Sequence, residues 1–230
     1  MNVMKWSVKW LIFIFLTAIL MSCGNESQYR EWGLKGKVKS VTEKYYAAEY
    51  DGERIEKGKG LPYGNYRLVF DEKGRLVEIT YFDENGKVSG KSITVREGGK
   101  VREENFYNGE GKLETTTKVT HVSDNEIAFE AYDGEGVMVR NGTSFLEKGR
   151  VVKQLLRMYE DGAVSKEFTL LTDFDGDDNM VSQKQLDKDG DTYVTLYEYR
   201  QFDENGNWTE AITYLNGMPQ GILSREISYY

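Results

Sequence analysis

The chain punctuates itself. A short acidic stretch closed by glycine recurs along most of its length, as in "VFDEKGRLVE", "YFDENGKVSG", "FYNGEGKLET", "AYDGEGVMVR" and "QFDENGNWTE". The closing glycines are Gly74, Gly86, Gly99, Gly111, Gly136, Gly149, Gly162, Gly176, Gly190, Gly206 and Gly217, and most stand 12 to 14 residues apart. The one double step, from Gly111 to Gly136, holds the glycine-free turn "VSDNEI" at its middle. Asp, Asn and Glu open such turns because short polar side chains bond the local backbone, and Gly supplies the positive φ that closes them. The pentapeptide FDENG occurs twice, at 82–86 and 202–206. Against that period it reads as one turn reused by a repetitive fold, not as a site present in duplicate.

Between the turns apolar residues alternate. Val77, Ile79 and Tyr81 share a face, as do Val164, Phe168 and Leu170, and again Tyr193, Tyr197 and Tyr199. A period of two is that of a strand. Sixteen tyrosines and two prolines agree with sheet, since Tyr suits a half-buried pleat and Pro interrupts ladders. The expected fold is all-β, an antiparallel meander of consecutive β-hairpins in an open sheet, twisted or curled to bury one face. "GLKGKVKSVTE" and "ILSREISYY" are expected to cap its two edges, the lysines guarding against further pairing.

The first 22 residues read as an export leader. Lys5 and Lys9 precede the apolar run "WLIFIFLTAIL", which is short for a permanent span. "LMSC" at 20–23 then has lipobox spacing, making Cys23, the only cysteine, the expected lipidated N-terminus. The expected organisation is a leader over 1–22, a tether over 23–32 and one domain over 33–230. Gly24, where inner-membrane lipoproteins tend to carry Asp, points to an outer-membrane lipoprotein, its body facing either the periplasm or the outside. The formal net charge of −8 becomes −10 once Lys5 and Lys9 leave with the leader, which argues against nucleic acid as a partner.

The units "YFDENGKV", "AYDGEGVM" and "QFDENGNW" resemble the YD repeats of Rhs-type proteins. Together with the lipobox and "GLKGKVKSV", they resemble repeat lipoproteins of Bacteroidetes. The resemblance covers residues 66–217 and implies an array of hairpin repeats, with a loose link to carbohydrate binding.

Chemistry-bearing motifs are few. Asp187, Asp189, Asp191 and Glu198 have the spacing of an EF-hand calcium loop, without its glycine at Thr192 and without flanking helices. The competing reading is another acidic hairpin turn. His121 is the only histidine and stands in no triad or zinc pattern. Tyr193, Tyr197, Tyr199, Trp208 and Tyr214 form an aromatic group suited to a glycan or protein ligand, or to the core. These residues lead to a non-catalytic binding module of the cell envelope, anchored at Cys23, with an envelope protein or glycan as partner. Two alternatives are a toxin-neutralising immunity lipoprotein and a calcium-stabilised scaffold.

Overall fold

A computed structural model describes residues 28–230. Cys23 and the expected leader lie outside the described residues. After a 3-10 turn at Gln28–Trp32 come fifteen strands. They are β1 (Val38–Asp51), β2 (Arg54–Gly60), β3 (Tyr66–Phe70), β4 (Leu76–Phe82), β5 (Val88–Glu97), β6 (Lys100–Asn108), β7 (Leu113–Ser123) and β8 (Glu126–Asp133). Then follow β9 (Met138–Glu147), β10 (Arg150–Glu160), β11 (Ala163–Phe174), β12 (Met180–Asp187), β13 (Thr192–Phe202), β14 (Trp208–Leu215) and β15 (Met218–Tyr229).

Each strand from β3 onward pairs antiparallel with the next, as the hairpin pattern predicts. The expectation of an open sheet is overturned: β15 pairs with β1 from Val38↔Tyr229 to Ala47↔Gly221, closing the wall. β2 pairs only with β1, so the closed barrel has 14 of the 15 strands. The two segments expected to cap opposite edges are each other's partners. Closure satisfies both rows of edge hydrogen bonds, which no guarding lysine can do.

The register sorts side chains cleanly. Val41, Leu68, Ile79, Phe129, Leu156 and Leu170 point into the lumen, each at most 2% exposed. On these and the intervening strands Glu78, Lys91, Lys118, Glu130, Lys153 and Glu167 point outward. Val77 and Val164 leave the face expected for them and are exposed. A register shift lies beside each, between Val69 and Phe70 and between Met158 and Tyr159, and such bulges reverse the alternation.

The repeated turn is one structure. At Asp71, Asp83, Asn108, Asp133, Asp175 and Asp203 the side-chain Oδ1 accepts backbone N–H bonds from the residues two and four further on. The turns at Asp71, Asp175 and Asp203 stand at one end of the barrel and those at Asp83, Asn108 and Asp133 at the other.

One end is capped. Residues 28–32, read from sequence as tether, are folded onto it. Gln28 is buried and accepts from Leu76 N (2.8 Å) and from Arg96. Tyr29 and Trp32 pack on the cluster of Leu34, Val38, Val41, Leu68 and Phe70. Lys35 then bridges to the β13–β14 turn, where Asn207 accepts from Lys35 N (2.6 Å) and donates to Lys35 O (2.9 Å). The far half of β1, with β2, forms an arm laid back over the outer wall. Arg200 donates to Ile55 O (2.9 Å), and Lys57 pairs with Glu210 (2.8 Å). The arm explains why Ile212 and Ile222, which point outward, are buried.

Candidate functional site: an aromatic cavity at the open end

The apolar clusters fill the capped half of the lumen. Toward the other end the side chains part around a cavity of about 600 Å³. Its wall has two characters. Tyr66, Tyr81 and Phe106 from β3, β4 and β6 present rings, and Tyr81 and Phe106 meet edge to face at 5.9 Å. Across from them, β12 and β13 present Gln183, Gln185, Tyr193, Thr195 and Tyr197. Cross-strand pairing sets that polar side, with Gln185 opposite Tyr193 and Gln183 opposite Thr195.

The third element is a strap. β2 and β3 both pair with β1 and run in the same direction, interrupted by residues 61–65. "LPYGN" loops out there because Asn65 takes over the ladder. Its Oδ1 accepts from Tyr45 N (2.9 Å) and its Nδ2 donates to Leu61 O (2.6 Å). Gly64 has φ +76° and lies so close that a Cβ would stand 3.1 Å from Tyr45 Cβ, so glycine is required on both counts. The strap sets Tyr63 edge-on to Tyr45 at 5.9 Å.

Below the cavity, charge is locked in pairs. Glu43 accepts from Tyr66 Oη (2.6 Å) and from Arg225 Nε (2.7 Å). The Arg225 guanidinium lies 3.4 Å from the centre of the Trp208 ring. Burial first, and then the neighbouring Glu43 carboxylate, push the Tyr66 phenol well above its ordinary range, so it stays a donor. Glu104 on β6 and Arg140 on β9 are also buried, and each feels the other's charge. Burial raises the Glu104 carboxyl to about 7, against the pull of Ser92 and Arg140.

The structure divides the aromatic residues singled out from sequence. Tyr193 and Tyr197 line the cavity. Tyr199 and Trp208 belong to the core below it, 5.3 Å apart between ring centres. Tyr214 is on the outer wall, donating to Glu198 (2.5 Å). The four calcium-loop residues do not converge. Asp187, Asp189 and Asp191 belong to a hairpin turn closed by Asp187 N→Asp191 O (2.9 Å) and Gly190 N→Asp187 O (3.0 Å). Glu198 lies seven residues along β13, about 23 Å at roughly 3.3 Å per residue, and is engaged by Tyr214 and Arg200. Among the described residues no group of three or more His, Cys, Asp or Glu is placed to hold a metal. His121 faces its neighbour strand, Nε2 lying 2.9 Å from Val101 O.

Sequence reasoning missed Tyr45, Tyr63, Tyr66, Tyr81, Phe106 and Gln183. The available signal was the Pro–Gly pair in "LPYGN", which marks an interruption where a ligand-sized gap opens.

The molecule is therefore a closed, antiparallel 14-strand barrel, capped at one end. Proteins of known structure share the architecture. A porin-like protein from Bacteroides vulgatus ATCC 8482 aligns over 98% of its length with 84% of this chain, at TM-score 0.50 and 16% identity. A porin-like protein from Bacteroides uniformis ATCC 8492 aligns with the same coverage, at TM-score 0.45 and 10% identity. The sequence matches no family profile and no curated relative. The resemblance to YD and Rhs-type repeats does not survive the comparison. The hairpin units are real, but they close into a porin-like barrel where the repeat reading requires an open array.

Proposed function

We propose that this protein is a cell-envelope barrel that faces water on its outside and binds a ligand at its open end, without catalysis and without conducting solute. It is held at the outer membrane by lipid on Cys23. The observation that carries this reading is the polarity of the wall. A barrel that spans a bilayer turns an apolar band outward and a polar lining inward. Here Lys91, Glu103, Lys118, Glu130, Lys153 and Lys184 stand on the outer face within their strands, and the lumen is packed with aliphatic and aromatic side chains. Each outward lysine would cost roughly 2–4 kcal/mol at a bilayer midplane, and each glutamate somewhat less. The outer charges pair with each other across strands, as Lys91 with Glu78 (3.1 Å) and Arg157 with Glu167 (3.1 Å), an arrangement suited to water.

The porin-like description of the structural neighbours supports an outer-membrane association, as Gly24 does. Shape is shared with them; the polarity of this wall favours a tethered body over an inserted one. The tether also orients it. Gln28 is fixed at the capped end, and the five Cα-to-Cα steps from it to Cys23 reach at most about 17 Å. The open end then faces away from the membrane.

Cysteine scanning tests the reading. With Cys23 acylated, Lys118→Cys carries the sole free thiol. In membranes it is expected to react with a water-soluble maleimide as fast as Lys148→Cys in a turn. Protection of Lys118→Cys alone would place the wall in lipid and refute the proposal.

A further inference from the structure

We infer that the cavity takes a neutral sugar, one pyranose ring or the end of a chain of them; this rests on the binding reading above. Three features of the lining narrow the ligand. The first is charge. No Asp, Glu, Lys, Arg or His lines the cavity. Of the charges behind the lining, Glu43 is spent on Arg225 and on the Tyr66 hydroxyl. A charged ligand entering here would lose its hydration with no counter-ion to replace it.

The second is the kind of apolar surface. The aliphatic contribution is small, with Leu215, Leu223 and Pro62. Rings dominate on β3, β4, β6 and the strap. An acyl chain is matched by branched aliphatic side chains. Flat ring faces match the flat C–H face of a pyranose and leave its rim of hydroxyls to be met elsewhere.

The third is where those hydroxyls would go. Gln183, Thr195, Tyr193 and Tyr197 line the opposite side and make no side-chain hydrogen bond with the described residues. Of the other polar groups of the lining most are committed; the Tyr81 hydroxyl, buried without a partner, and the hydroxyls of Tyr63 and Ser89 are the exceptions. Asn65 holds the strap, and the Tyr45 hydroxyl lies 2.7 Å from Thr213 Oγ1. The amide of Gln183, the hydroxyl of Thr195 and the phenols of Tyr193 and Tyr197 stand together on β12 and β13, facing the rings. Burial raises the Tyr197 hydroxyl far above its usual range, so it stays a neutral donor. A row of donors and acceptors opposite an aromatic platform is complementary to one ring with an apolar face and a hydroxylated edge. At about 600 Å³ the space falls in the range of small-molecule sites.

The test uses the lipidated chain in nanodiscs and saturation-transfer NMR with four probes. Two are neutral, methyl β-glucopyranoside and N-acetylglucosamine. Two are charged counterparts, glucuronate and glucosamine. N-phenyl-1-naphthylamine, uncharged and apolar, is titrated in parallel by fluorescence. At least one neutral sugar is expected to bind, with either charged counterpart at least tenfold weaker. Gln183→Leu and Thr195→Val break no protein hydrogen bond, and each is expected to weaken the sugar tenfold or more while leaving the naphthylamine unchanged. Tyr63→Ala should weaken both. Binding of the naphthylamine without any sugar would overturn the sugar assignment and leave a binding barrel standing. Sugar binding untouched by all three variants would overturn the site. Binding of no probe, with the barrel folded by circular dichroism, would overturn the sugar assignment and count against the binding reading too.

Discussion

At residues 83–87 and 203–207 the same turn is built twice, at opposite ends of the barrel. Each aspartate accepts from the backbone two and four residues on, and each glycine takes φ near +80°, at +79° for Gly86 and +78° for Gly206. The turns part at the residue after the glycine. Lys87, at the open end, is exposed. Asn207, at the capped end, is fully buried and binds Lys35 N, Lys35 O and the Tyr229 hydroxyl. Asp203 differs in the same way, accepting from Tyr229 as well as from its own turn. Although burial opposes it, the bonds from Tyr229 and the Asn207 and Asn205 amides hold its carboxyl below the usual range. One motif thus serves as a free hairpin at the open end and as the latch for the cap at the other. Its spacing is set by the fold; what it does is set by what the chain brings alongside.

The contrast between a locked lower half and a permissive open end can be broken most severely in the lumen. Glu43→Ala strands Arg225 in a buried site, and a loss of about 3–5 kcal/mol in denaturant unfolding is expected. A loss under 1 kcal/mol would mean that water reaches Arg225.

Titration sharpens the same point at Glu104. Its folded-state pKa, about 7, lies above the ordinary glutamate value of 4.5, so the folded protein holds this proton more tightly. Stability from this group is full below about 4.5, falls as pH rises to about 7 and is level above that, a drop of roughly 1–3 kcal/mol. Glu104→Gln should flatten that part of the profile; a slope unchanged in the variant would assign it to another group.

Next in size, Asn207→Ala removes three bonds from the cap and should cost about 2 kcal/mol. Lys87→Ala at the matching position should change stability by no more than about 0.5 kcal/mol. Equal effects would erase the distinction between the ends. Between the two lies Gly86→Ala, expected to cost about 1 kcal/mol in denaturant unfolding for a side chain at positive φ in open surroundings.

Much of the barrel was legible in the sequence, because strand and turn are local. The Asp-to-Gly turns, the period-two faces and the order of neighbouring hairpins all follow from residues within about 14 of each other. Closure does not. Val38 meets Tyr229, and nothing in either segment distinguishes an edge that is guarded from one that is paired. Lys39 looked like edge protection and is simply an outward residue of a closed wall. Bulges next to the turns were also hidden, which is why Val77 and Val164 were assigned to the wrong face. The cavity was half legible. Tyr193 and Tyr197 were visible as a face, but which aromatics join them depends on which strands stand across the lumen. Tyr81 and Phe106 come from there, and no spacing announces it.

The central claim is that the barrel's outside faces water and lipid holds it only through Cys23. The most direct measurement is fractionation of cells expressing the exported Cys23→Ser chain. The account predicts that the folded barrel, freed of its lipid, is recovered in the soluble fraction without detergent and remains monodisperse there. If it stays with the membranes after a carbonate wash and needs detergent to leave them, the wall spans the bilayer and the account is wrong.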